Sequence, residues 1–178
     1  MLKTVSLAAA LLLASQSALV AQPSIEWLEP FVGVWATVDT YYPVSGEPTV
    51  ERATRTCARI MQDTYLQCET IAQRPSGASR TYRFLLNYNR TVARFEMLSL
   101  WSNVPHKLAQ SMVPNGDRRR WTFANVAVIG DDEPMADHWS ELVFESSTRI
   151  VWTGRRIGPG VPPAAAPISF QETWTRVN

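Results

Sequence analysis

From Phe31 onward the chain alternates. Apolar, β-branched and aromatic residues recur at every second position over runs of about ten residues, and turn-forming residues separate the runs. A 3.6-residue period is nearly absent. One short helical turn is expected near residues 24–29, with Ser24 as its N-cap. Ten strands are expected to follow, at 31–40, 49–61, 64–73, 79–88, 92–101, 107–113, 118–129, 136–146, 148–157 and 168–177.

The connections differ in length by turns. Tight ones fall at Gln62-Asp63, Asn89-Arg90, Asn115-Gly116 and Ser146-Ser147, and Asn-Gly predicts a type I′ hairpin. Long ones span 41–48, 74–77, 102–106, 130–134 and 158–167. In an up-and-down antiparallel meander, alternate connections share an end. The long loops therefore share one end and the tight hairpins the other. An even strand number lets the tenth strand pair antiparallel with the first and close the sheet, which removes exposed edges. The expected fold is all-β: an up-and-down antiparallel barrel of about ten strands, wide enough to enclose a cavity. A short N-terminal helical plug closes one end, and the long loops form the mouth at the other. A β-sandwich is the competing architecture.

Alternation also assigns faces. Tyr82, Phe84, Leu86 and Tyr88 share an inward face, as do Ala93, Phe95 and Met97. His138, Ser140, Leu142 and Phe144 form another, and Ile150, Trp152, Gly154 and Arg156 another. The last strand points Ile168, Phe170, Glu172, Trp174 and Arg176 inward. The first, second and seventh strands are too mixed to assign. A buried charge needs a partner. Glu172 is expected to pair with Arg156 or water, or else the two orient a polar group of a ligand.

Gly33-Val34-Trp35, opening the first strand after a helical turn, resembles the first signature of the calycins, the lipocalin-like and fatty-acid-binding-like barrels. The resemblance implies that Trp35 sits at the closed end and that a late Arg packs over it. Arg176 matches that Arg, so Gly33, Trp35 and Arg176 are expected to be structural. Ten strands and no clear helix after the barrel depart from classical lipocalins. The plan is closer to the haem-binding nitrobindin-like barrels and to small exported lipocalin-like domains of unassigned function. The nitrobindin-like resemblance would want a proximal His deep in the cavity, and the last strand offers none. Haem is thus a candidate cofactor with no evident ligand, and no other cofactor is expected.

Composition narrows the function. Lys3, the apolar run 5–13 and the small residues 15–21 read as a signal peptide over residues 1–21, cleaved after Ala21. The alternative is an N-terminal anchor, for which the run is short. Residues 22–178 form one lipocalin-like domain, exported to a periplasm or secreted. Removing the leader takes Lys3 with it and leaves 16 acidic residues balanced by as many Lys and Arg. That balance argues against nucleic acid, and nothing after residue 21 is apolar enough to span a membrane. An exported pair of cysteines is a disulfide candidate. A turn centred on Gln62-Asp63 sets Cys57 opposite Cys68.

Catalytic motifs are absent: no Gly-x-Ser-x-Gly, P-loop, dinucleotide fingerprint or His-Glu-x-x-His occurs. His106 and His138 are the only histidines, and they lack ligand spacing. The acidic turn at 131–133 with Asp137 lacks an EF-hand pattern, so no metal site is assigned. The expected function is binding of a small apolar or amphipathic ligand in an aromatic cavity. Its candidate residues are Tyr41, Tyr42, Tyr82, Phe84, Phe95, His138, Trp152, Arg156, Glu172 and Trp174. An enzyme using the same cavity through haem or a His–Glu pair, and a structural protein with a filled barrel, are the alternatives.

Overall fold

Each of the ten alternating runs forms a strand: β1 (Gly33–Tyr41), β2 (Thr49–Ile60), β3 (Tyr65–Gln73), β4 (Ser79–Asn89), β5 (Arg94–Trp101), β6 (Lys107–Pro114), β7 (Arg120–Ile129), β8 (His138–Ser146), β9 (Arg149–Arg156) and β10 (Ile168–Arg176). The structure is a computed structural model that describes residues 22–73, 77, 79–103, 105, 107–129 and 138–177; for 125–129 and 138 it describes the backbone alone. The expected leader, His106, the acidic turn and the His138 side chain lie outside the described residues.

Consecutive strands pair antiparallel, and β10 pairs with β1, so the sheet closes into a barrel. No helix among the described residues is long and apolar enough to cross a membrane. A 3₁₀ helix, Ile25–Phe31, precedes β1. It buries Leu28 and Phe31 almost completely at the tight-hairpin end. Burying an apolar side chain of this size contributes roughly 1.5–3 kcal/mol, which holds the plug in place. Phe31 meets Trp121, Phe144 and Trp174 edge-on, while Trp27 stacks on Phe95.

Gly33 explains the Gly-x-Trp spacing. Its φ is +134°, a conformation that L side chains rarely adopt, and a Cβ there would meet Arg176 Nη1 at 2.5 Å. The Arg176 guanidinium lies 4.2 Å from the Trp35 ring centroid. It donates to the carbonyls of Pro30, Val32 and Ser147, tying plug, sheet and a hairpin together. Trp35 is fully buried, and its Nε1 donates to Phe31 O at 2.8 Å. Cys57 and Cys68 are register partners on β2 and β3 with Cα atoms 4.0 Å apart, and they form the expected disulfide.

Four local expectations are corrected. Ser24 occupies the N-cap position, but its side chain makes no capping bond; its carbonyl accepts from Trp27 N–H instead. The Asn115-Gly116 turn is not type I′, because Arg118 rather than Gly116 takes the positive φ (60°). Asn115 organises the longer turn instead, accepting from the N–H groups of Arg118 and Arg120. Ala93 belongs to the turn before β5 and is exposed rather than inward. At the start of β10 the register shifts between Ile168 and Phe170. Ile168 is turned outward, and Ser169 joins Phe170 on the inner wall.

Candidate functional site

The barrel interior has two storeys. The lower one, above the plug, is filled by Phe31, Trp35, Phe95, Trp121, Phe144 and Trp174. The upper one is a cavity of about 370 Å³ that reaches the long-loop end, within the usual size of small-molecule pockets. One side is aromatic. Trp152 is its hub, in ring contact with Phe84, Phe123 and Phe170 on the wall side and with Trp174 below. The Trp152 indole donates to Ser140 Oγ at 2.9 Å, so its one polar atom is satisfied within the wall. Gly154 makes room for Phe170: a Cβ there would meet Phe170 Cε1 at 2.0 Å.

The opposite side is ionic, and Asp39, Glu51 and Arg55 come from two strands, β1 and β2, that alternation left unassigned. β1 points Trp35, Thr37 and Asp39 inward and exposes Val34 and Ala36. β2 points Glu51 and Arg55 inward. Polar residues inside and apolar ones outside invert the usual signal, which is why alternation failed there. Register then places Glu51, Asp39 and Glu172 side by side across β2, β1 and β10. All three are at most 5% exposed.

Two arginines serve this row. Arg80 on β4 donates through Nε and Nη2 to Glu51 Oε2 and through Nη2 to the Tyr41 hydroxyl. Arg55, fully buried, donates through Nε to Thr70 Oγ1 at 2.7 Å, and its Nη2 lies 2.6 Å from Glu172 Oε1. The same Nη2 reaches the Tyr82 hydroxyl at 3.3 Å, and that hydroxyl donates to Asp39 Oδ2 at 2.7 Å. The Arg55 guanidinium also lies 4.1 Å from the Trp174 ring centroid and 4.9 Å from that of Phe84. It thus bridges the ionic wall to the filled core.

Asp39 and Glu172 are register partners with buried carboxyls, and two acids held this close away from water favour a proton over a second charge. Burial pushes Glu172 up to about 8 against the pull of Arg55, and burial likewise raises Asp39. Burial raises both wall tyrosines as well, so Tyr41 and Tyr82 remain neutral phenols.

The structure brings Tyr41, Tyr82, Phe84, Trp152 and Glu172 together on the cavity wall. Phe95 and Trp174 lie in the filled layer below it. Tyr42 and Arg156 meet at the rim, outside the cavity lining, where Arg156 Nη2 donates to Tyr42 O at 3.4 Å. His138 is the register partner of Arg156. The expected pairing of Glu172 with Arg156 is corrected: the partner is Arg55. Arg55, Asp39, Arg80 and Glu51 were missed. Only Arg80 carried a usable signal, since it continues the even-numbered inward face of β4 one step beyond Tyr82.

No protein-family model matches the chain, and no curated protein sequence matches it. Solved structures do. Rv2717c from M. tuberculosis superposes with a TM-score of 0.62 at 10% identity, covering 88% of this chain and 98% of that one. The S-type phycobiliprotein lyase CPES from Guillardia theta superposes with a TM-score of 0.58 at 9% identity, covering 88% and 94%. The fold is calycin-like. At these identities the likeness is one of architecture.

Proposed function

We propose that this protein is an exported barrel that binds a small apolar or amphipathic ligand in its upper cavity. The observation that carries the reading is the division of the interior: indoles and phenyl rings fill the lower half, while the upper half is left as a space of about 370 Å³ with one aromatic and one ionic wall. Apolar area with a few placed polar groups is the usual makeup of a ligand site. The calycin-like fold supports the same reading, and the ten-stranded plan resembles the nitrobindin-like barrels and small exported lipocalin-like domains. Export rests on the leader-like residues 1–21 and is supported by the Cys57–Cys68 disulfide, which persists in an oxidising compartment.

Haem does not fit the described wall. Its lining residues include no His, Cys or Met, Tyr82 is committed to Asp39, and Tyr41 accepts from Arg80. A second reading, an enzyme using the Asp39–Glu172 pair as acid and base, is favoured by the two carboxyls standing side by side on the cavity wall, with Glu172 raised by burial to about 8.

The test is a titration of apolar and amphipathic probes followed by tryptophan emission, with native mass spectrometry of the purified protein for a retained ligand. A saturable quench that shrinks in Trp152→Phe supports the binding reading. A protein that carries nothing and gives no saturable quench with a broad panel overturns it in favour of a structural role. Chemical conversion of a bound probe would move the enzyme reading ahead.

A further inference from the structure

One oxygen of the ionic wall has no partner among the described residues. Glu51, Asp39 and Glu172 stand in one row on adjacent strands, each buried. Arg80 is held by Glu51 and Tyr41. Arg55 contacts Glu172 directly and reaches Asp39 only through the Tyr82 hydroxyl. Among the described residues, neither guanidinium contacts Asp39 directly. The described lining residues of β5, β6 and β8 are uncharged, and Arg156 on β9 sits at the rim bound to Tyr42 O. Asp39 Oδ1, on a residue 2% exposed, has no N–H or O–H donor among the described groups. A proton carried by Glu172, or a donor on an incoming ligand, has to supply it.

We propose that the cavity selects organic cations: an amine on a small flat apolar body, its ammonium seated between Asp39 and Glu172, where Asp39 Oδ1 lacks a donor. This rests on the small-molecule reading above and names the ligand class. Two walls meet the two halves of such a molecule. Asp39 Oδ1 accepts from the ammonium in a charge-assisted hydrogen bond. Phe84, Trp152 and Phe170 enclose the apolar body, and their ring faces favour a nearby cation. The exchange balances: one positive charge enters on the ligand and one proton leaves to solvent, so the net charge of the wall and its occupant is unchanged. The proton is available at neutral pH because burial holds Glu172 up to about 8 despite Arg55. Affinity for the amine accordingly rises with pH toward that value.

The test compares 2-phenylethylamine, 2-phenylethanol and 3-phenylpropionate, alike in shape and different in charge, by titration calorimetry at pH 7 in two buffers of different ionisation enthalpy. The amine is expected to bind about tenfold more tightly than the alcohol, as one charge-assisted bond would give, with the acid weakest. About one proton is expected to be released per amine bound. Asp39→Asn should bring the amine down to the alcohol's affinity. Glu172→Gln, which keeps the shape of the acid but has no proton to give up, should abolish the proton release and bring the amine down toward the alcohol's affinity while leaving alcohol binding in place, and it keeps the proposal testable if the Asp39 variant does not fold. Equal affinity for amine and alcohol, or amine binding with no proton released, overturns the proposal and leaves the binding reading standing. Binding confined to other members of the broad panel also overturns the cation class. Failure of the entire panel overturns both.

Discussion

Asp39 and Glu172 are direct register partners on β1 and β10, and both carboxyl groups are buried. Two acids held together away from water cannot both ionise cheaply. The barrel therefore folds around a proton as well as around its indoles.

That proton links stability to pH. The folded-state pKa of Glu172 is raised to about 8 from an ordinary 4.5. An acid raised on folding contributes stability that is full below its unfolded pKa and is lost as pH rises to the folded value. Between those limits the unfolding free energy should fall by up to about 1.4 kcal/mol per pH unit, and the upward shift of Asp39 acts in the same direction. Urea unfolding of wild type and Glu172→Gln from pH 4.5 to 8.5 checks this. The difference between the two should carry the slope, and parallel curves would remove Glu172 as its source.

Arg55 should be indispensable to the core. It is fully buried against Glu172, Thr70 and Tyr82. Removing one partner of a buried ionic pair costs about 3–5 kcal/mol, because the other charge is left uncompensated. Arg55→Met should show a loss of that order by chemical denaturation. In Glu172→Gln the same substitution should cost measurably less, since the two residues share one network.

Trp35 and Arg176 should behave as one structural unit. Trp35→Ala removes a fully buried indole and should cost about 3–5 kcal/mol. Arg176→Ala releases three carbonyls and a cation–π contact. A double-mutant cycle should return a coupling of about 0.5–3 kcal/mol, and strict additivity would contradict the contact.

The disulfide should be complete and stabilising. A thiol assay on unfolded, unreduced protein should find no free cysteine. Reduction should lower stability by roughly 2–3 kcal/mol, as expected for a short closed loop.

Gly154→Ala should report on the cavity. Its Cβ would collide with Phe170, which lines the upper storey. Overpacking of this kind costs about 1–3 kcal/mol. The displaced ring should also change probe quenching without disturbing the disulfide or the Trp35–Arg176 cap.

The alternation of side chains and the spacing of turns determined the strand number and the placement of tight hairpins at one end, and the even strand number made the closure of β10 on β1 the expected outcome. Each rests on local patterning, in which the face a residue takes follows from its neighbours two positions away. The facing of Cys57 and Cys68 was likewise legible, because a short hairpin fixes its own register. Aromatic wall residues such as Phe84 and Trp152 were readable for the same reason. The ionic wall was not. On β1 and β2 Asp39, Glu51 and Arg55 point inward while Val34 and Ala36 point outward, so local pattern misleads there. A charge can be buried only if a partner on another strand neutralises it. Arg55 and Glu172 are more than a hundred residues apart in the chain, and only closure of the barrel brings them together.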